Sequence, residues 1–257
     1  MKNNRKNVEE RQLQILRLIR QKGEVRSEDI SKRFNISIMT VRRDLEYLEQ
    51  NQLIKRTHGG ALSIDKIRAT RAIRENIAIS RDMISEFASQ FIDDGDSIFI
   101  NGSTTALNML NYVKNKSITV YTNNGLAISG KYSDTISIKM TGGELRNHIM
   151  VGDFTMRNLL EVSADKTFLG CAAVYDDGEF QYNIPNEIGI NEAMISRTRN
   201  QLYILADHTK LMRQENRENS YGSCSYERPV TLITDDKADP DIVKKLRTLG
   251  MEILIVS

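Results

Sequence analysis

The chain has 257 residues, 40% hydrophobic and 27% charged, with 15 Gly and 3 Pro, which excludes collagen-like, intrinsically disordered and disulfide-scaffold chains. No apolar stretch approaches the roughly 20 residues of a bilayer span, and the charged start, Met1–Asn7, leads into Val8-Glu9-Glu10-Arg11 rather than an apolar signal core. The net charge of +2 is unevenly spread: residues 1–68 hold 16 Lys and Arg against 9 Asp and Glu, a net +7, and the remaining 189 hold 20 against 25, a net −5. Cys171 and Cys224 read as buried or incidental thiols of a reducing compartment, and the chain reads as cytoplasmic. A basic head on a mildly acidic body suggests that only the head meets a polyanion, although a scattered, solvated surface gives the same totals.

Leu13, Ile15, Leu16, Leu18 and Ile19 follow helical spacing up to Gly23, a good helix stop. Ser27 offers an N-cap before Glu28-Asp29-Ile30, and this second helix runs to about Phe34. After Asn35-Ile36, Ser37 caps a third helix with Ile38, Val41, Leu45 and Leu48 on one face. At 100° per residue all four lie within about 60° of Val41. Met39, Thr40, Arg42 and Arg43 are left on or beside the outward face near the N-terminus. The pattern is a helix-turn-helix, in which the start of the second helix enters the major groove. Arg grips guanine or neutralises phosphate, and Thr and Met touch a thymine methyl; a basic solvated face is the plainer alternative.

Leu53–His58 reads as a short strand, Gly59-Gly60 as a turn and Ala61–Ile64 as a return strand. Such a hairpin is a wing, placing Lys55, Arg56 and His58 against phosphates or a minor groove. His58 has no neighbouring Cys or His, so no metal role is expected.

The run Ser37-Ile38-Met39-Thr40-Val41-Arg42-Arg43-Asp44-Leu45, followed by Leu53-Ile54, Arg56 and His58-Gly59-Gly60-Ala61, closely resembles the DeoR-type winged helix-turn-helix. The resemblance implies that Ser37, Thr40, Arg42 and Arg43 meet DNA, with Gly59 at the wing, and that Asp44 orients an arginine or the wing.

Residues 66–92 read as a linker entering an amphipathic helix, with Ile77, Met83, Ile84, Phe87, Ala88 and Phe91 as its apolar stripe. Strands are expected at Ser97–Ile100, Ile118–Thr122, Ile136–Met140, Thr167–Leu169, Leu202–Leu205, Thr231–Ile233 and Glu252–Val256. Helices are expected through Leu107 and Leu110 and around Leu126–Ile128. This alternation predicts a mainly parallel α/β sheet with ligands at the carboxyl ends of its strands. Three regions follow: a DNA-binding domain over 1–65, a linker and connecting helix over 66–92, and an effector domain over 93–257.

The first of these strands runs into Asn101-Gly102-Ser103-Thr104-Thr105 at a helix start, which suits a phosphate. Plain capping uses the same residue types, and neither a Walker A loop nor a dinucleotide fingerprint is present, so no cofactor is expected. Other strand ends carry Asn123, Gly142-Gly143-Glu144 with Arg146, Gly170 and Lys210. Lys210 and Arg146 would counter a phosphate, with Asn123 or Glu144 on hydroxyls. The order is similar to the DeoR-type effector domain, a relative of ribose-5-phosphate isomerase and the amino-sugar phosphate deaminases. The resemblance implies a sugar-phosphate sensor and supports Gly102–Thr105 and Lys210 as ligand-facing. Two features depart from the family pattern: Asn101 stands where Asp is usual, and Leu211–Pro229 is unusually polar.

The competing class is an isomerase or deaminase with a DNA-binding head, which needs a positioned carboxylate. The acidic isomerase motif is missing from Ser163–Gly170, leaving Glu187 and Glu192 as candidate acids. A ligand-free structural DNA-binding protein leaves the strand-end loops unexplained. The expected protein is therefore a non-enzymatic repressor of a carbohydrate-use operon. Its expected partners are double-stranded operator DNA, a phosphorylated sugar or polyol and further copies of itself, as dimer or tetramer.

Overall fold

The computed structural model describes residues 2–182, 185–217, 223–224 and 229–257, with the side chains of 2–7 and 223–224 left out. The burial expected of the Cys224 thiol lies outside the described side chains. The chain divides into two compact units, residues 1–76 and 77–257.

In the first unit, α1 (Lys2–Lys22) leads into strand β1 (Glu24–Arg26), α2 (Ser27–Phe34) and α3 (Ile38–Gln50). Strands β2 (Ile54–Arg56) and β3 (Gly60–Ser63) follow, in an antiparallel sheet ordered β1-β3-β2. The core is most of the stripe that helical periodicity marks out: Ile15, Leu16, Leu18 and Ile19 from α1 meet Ile30, Val41, Leu45 and Leu48, whereas Leu13 is exposed and Ile38 only half-buried. Ser37 caps α3 as expected, its Oγ accepting from the Thr40 amide. Ser27 does not cap α2 but is its first residue, because its amide donates to the Gly59 carbonyl across the fold. That tertiary bond serves an amide which local capping chemistry would otherwise have to satisfy.

Helix α4 (Ile64–Ser89) starts directly after β3 and runs through the segment read as a linker. The second unit then contains β4 (Ser97–Ile100), α5 (Thr104–Asn108), β5 (Ile118–Thr122) and β6 (Ile136–Met140). A hairpin of β7 (Glu144–Arg146) and β8 (Ile149–Val151) precedes α6 (Asp153–Leu160) and β9 (Ala164–Gly170). Next come β10 (Ala173–Tyr175), β11 (Phe180–Gln181), α7 (Pro185–Ser196) and β12 (Thr198–Leu205). The chain closes with β13 (Leu211–Met212), β14 (Ser223–Cys224), β15 (Val230–Asp235), α8 (Pro240–Thr248) and β16 (Glu252–Val256).

The seven strands expected of the second unit form one parallel sheet, ordered β16-β15-β12-β9-β4-β5-β6. Side chains alternate across it: Phe99, Leu202, Ile204 and Leu232 pack with α6, α7 and α8, whereas Ile98, Ile100, Tyr203 and Ile233 pack with α4 and α5. The expected helix at Leu126–Ile128 is a short 3-10 turn, Gly125–Ser129, capped by Asn124. A second sheet, ordered β13-β10-β11-β14, includes part of the polar Leu211–Pro229 segment. Arg217 anchors that segment by pairing with Asp177 and Glu179 and lying 4.5 Å from the Tyr175 ring centroid.

The strand order explains where a ligand belongs. From β4 the chain winds one way to β5 and β6, then returns on the other side through β9, β12, β15 and β16. The crevice at the carboxyl ends of β4 and β9 is therefore a topological switch point, where the loops diverge and leave an opening.

Candidate functional sites

The first unit carries the basic face. Arg42 and Arg43 are exposed beside Met39 (57% exposed), and neither has an ion-pair partner among the described residues. Thr40 is half-buried, and its hydroxyl is 2.9 Å from that of Ser37, so the two share one hydrogen bond at the helix start. Between these residues the helix turns Asp44 inward, where it is buried. There it accepts from Arg11 Nε at 2.7 Å and Nη2 at 3.0 Å, and from Gln12 Nε2 at 3.0 Å. Hydrogen bonding to that carboxylate, against a smaller opposing effect of burial, raises the Arg11 pKa. Asp44 thus orients an arginine of α1 and joins α3 to it.

At the wing Lys55, His58 and Gly59 are exposed and Arg56 is half-buried. Lys55 lies 3.9 Å from Glu49, a loose surface pair, and Glu49 accepts from the Arg56 amide at 2.9 Å. His58 and Gly59 sit in the turn rather than in the strands. The Gly59 carbonyl, taken by Ser27, holds this turn against the start of α2.

In the second unit a cavity of about 300 Å³ opens at the switch point, lined by Asn101–Thr105, Gly170, Lys210 and eight further residues. Seven sequence-predicted residues therefore come together: Asn101, Gly102, Ser103, Thr104, Thr105, Gly170 and Lys210. Asn101 is buried and holds the two strand ends in register. Its Nδ2 donates to the Gly170 carbonyl and to Asn191 Oδ1, both at 2.9 Å, while its Oδ1 accepts from the Gly170 amide at 3.0 Å and the Ser103 amide at 3.2 Å. An aspartate at this position could accept these bonds but donate none, so the amide has a structural reason to be here. The Ser103 hydroxyl caps α5 through the Ala106 amide. Thr104 and Thr105, at the first turn, keep amides with no intrahelical acceptor. Lys210 is half-buried with no ion-pair partner among the described residues.

Asn123, Gly142, Gly143, Glu144 and Arg146 are not among the lining residues of this cavity. Asn123 is buried, donates to the Met150 carbonyl and leaves its Oδ1 unpartnered. Gly142 and Gly143 have φ of 70° and 108°. A Cβ on Gly143 would stand 2.6 Å from the Val151 carbonyl, so turn geometry accounts for glycine there. Glu144 and Arg146 pair with each other on exposed β7, at 2.9 and 3.0 Å.

The lining also includes residues that sequence reasoning did not place. Asp207, at the end of β12, accepts from the Thr209 amide and hydroxyl and from Arg81 Nε at 2.7 Å. Burial pushes the Asp207 carboxyl up, but the bonds from Thr209 and Arg81 outweigh it and hold the group below the usual carboxylate range. The Cys171 thiol is pushed up to about 12, chiefly by burial, so it stays protonated. Glu187 joins the lining from α7, whereas Glu192 is exposed. Asp207 stands three residues before Lys210, in the same turn after β12. Arg81 had no local signal: it is one of many charged residues on a helix of mixed polarity.

Residues 78–236 match the DeoR C terminal sensor domain, and residues 11–67 match the DeoR-like helix-turn-helix domain. The chain is similar to the HTH-type transcriptional regulator YulB of Bacillus subtilis (strain 168), 31% identical over 261 residues and 97% of each chain. The lactose phosphotransferase system repressor of Staphylococcus aureus (strain N315) is 28% identical over 256 residues, 94% of this chain and 97% of that one. A solved D-ribose-5-phosphate isomerase in complex with phospho-erythronic acid gives a TM-score of 0.40 at 15% identity, covering 53% of this chain and 55% of that one. No helix among the described residues is long and apolar enough to cross a membrane.

Proposed function

The chain belongs to the DeoR family of transcriptional regulators, and from that premise we propose that it represses a carbohydrate-use operon and releases its operator when a phosphorylated sugar or polyol fills the cavity. It is a regulator and not an enzyme. The observation that carries the effector half of the reading is the cavity at the switch point, where the Lys210 ammonium, unpaired among the described residues, joins the Gly102–Thr105 loop. A phosphate is the group that such a set fits: backbone amides and hydroxyls donate, a cation neutralises, and no carboxylate from the loop opposes. Asn101 holds the loop to the β9 end; the polar remainder of the lining is the Arg81–Asp207 pair together with Glu187 and Tyr182, the last two suited to hydroxyls.

In the head, Ser37, Met39, Thr40, Arg42 and Arg43 enter the major groove, while Lys55, Arg56, His58 and Gly59 meet the backbone or minor groove. The protein acts in the cytoplasm as at least a dimer, so that paired recognition helices meet half-sites one helical turn or a multiple apart. A gel shift on the DNA upstream of its own operon, with sugar phosphates added, tests the reading. Binding that weakens in the presence of one such compound, without turnover of it, is the expected result. Indifference to that DNA at low ionic strength would overturn it.

A further inference from the structure

Helix α4 lines the cavity with one residue and, one turn on, bonds the backbone of the loop that forms its wall. Arg81 lines the cavity, its Nε bonded to Asp207, and the buried Ser85 hydroxyl lies 2.8 Å from both the Thr105 carbonyl and the Arg81 carbonyl. One helix is thus joined to the loop after β4 and to the loop after β12. The same helix is continuous back to Ile64, directly after the wing strand β3. From Asp65 to Ile79 its residues are exposed, apart from half-buried Ile67 and Ile77. Apart from the Lys66 bonds to Glu24 and Ser63 at its start, that span has little packing of its own.

We infer that Arg81 is the residue through which an occupied cavity acts on α4: an anionic effector draws its guanidinium away from Asp207 and repositions the helix leading to the head. This rests on the sugar-phosphate reading and adds the route by which that site regulates. Three features make the exchange physically reasonable. The Arg81 side chain is 40% exposed and its Asp207 partner 2%, so the arginine is the member able to move. Its terminal nitrogens have no partner among the described residues, and a phosphate matches a guanidinium fork better than one carboxylate oxygen does. Asp207 keeps the Thr209 amide and hydroxyl when Arg81 leaves, so the exchange does not strand a bare buried carboxylate. The shift can be no larger than the difference in effector affinity between the two arrangements.

The test uses the full chain and upstream operator DNA, with fructose 6-phosphate, ribose 5-phosphate and glycerol 3-phosphate as probes. Thermal shift on the wild type identifies which probe binds. Fluorescence anisotropy then gives the ratio of operator affinities without and with that probe, expected to be about 5–150-fold in an allosteric pair. Arg81→Gln is expected to bring the ratio within about twofold of one while the probe still raises the melting temperature through Lys210 and the loop. Arg81→Lys restores part of the ratio, because the charge returns without the fork. Arg71→Gln, on the same helix but paired only with Glu75, keeps the wild-type ratio. Reciprocity requires operator DNA to weaken probe binding by the same factor, an effect that Arg81→Gln should also abolish. If Arg81→Gln keeps the wild-type ratio, the inference falls and the sugar-phosphate reading stands. If Arg81→Gln no longer binds the probe, Arg81 is a ligand contact only and the coupling role falls. If no probe shifts or releases the wild type, the underlying reading falls and takes the inference with it.

Discussion

The two units solve the problem of displaying charge in opposite ways. In the head, Arg42 and Arg43 are adjacent, exposed and, among the described residues, without carboxylate partners, while the next residue, Asp44, turns inward to bind Arg11. In the body, Arg81 is already paired, Lys210 is unpaired among the described residues, and the two come from helix α4 and the end of β12 to meet a loop that follows β4. A surface that meets a large polyanion needs only a row of cations on one rigid helix. A pocket for a small anion needs few cations, donors from several loops, and a partner that one cation can exchange.

The largest effect should come from breaking the hub of the pocket. Asn101→Ala orphans the Gly170 amide and carbonyl, the Ser103 amide and Asn191 Oδ1. At about 1–3 kcal/mol per buried group left unsatisfied, partly relieved by water, a loss of about 3–5 kcal/mol is expected in chemical denaturation. Asn101→Asp keeps both acceptor contacts and loses both donor contacts, so it should cost less, about 1–3 kcal/mol. Equal costs would mean that the two bonds Nδ2 donates, lost in both variants, carry the effect and that the two its oxygen accepts contribute little.

In the head the matching hub is Asp44. Asp44→Ala removes three hydrogen bonds from Arg11 and Gln12. Arg11 keeps 24% of its side-chain surface in water, so the stranded cation is only partly buried and about 2 kcal/mol of stability is expected to go. Arg43→Ala should leave folding alone and weaken operator binding by about 1–3 kcal/mol, with relaxed preference at one base pair. Uniform weakening on every sequence, with a smaller salt slope, would move Arg43 from base to phosphate. Lys210→Met should weaken the bound sugar phosphate about tenfold, the scale of one charged hydrogen bond, read by titration calorimetry.

The same contrast explains what the sequence made legible. The head's face could be read because a single periodicity sorts Val41, Leu45 and Leu48 inward and Arg42 and Arg43 outward. The body's seven parallel strands were legible from apolar runs bounded by polar turns, and the Asn101–Thr105 loop from its glycine and hydroxyls. The pocket's membership was legible only in part, because strand order decides which ends converge. Gly142, Glu144 and Arg146 follow β6 at the edge of the sheet, separated from β9 by β4 and β5. Arg81 comes from the connecting helix, whose periodicity says which side packs but not which loop it meets. The β7–β8 hairpin and the small second sheet were missed because strands of two or three residues have too few positions to show alternation.

The smallest effect separates a paired cation from an unpaired one by its response to acid. Asp207 is held below the usual carboxylate range, in part by Arg81. A carboxylate depressed in the folded state stabilises fully above its unfolded value, about 3.9, and loses that contribution as pH falls through its lower folded value. The difference in melting temperature between the wild type and Arg81→Gln should therefore hold steady from neutral pH to about pH 4 and shrink below it. Arg43 has no such partner among the described residues, so the difference between the wild type and Arg43→Ala should show no collapse in that window. If both differences collapse together, the acid response belongs to general charge repulsion rather than to the Arg81–Asp207 pair, and the distinction between a held cation in the body and free cations in the head loses its electrostatic basis.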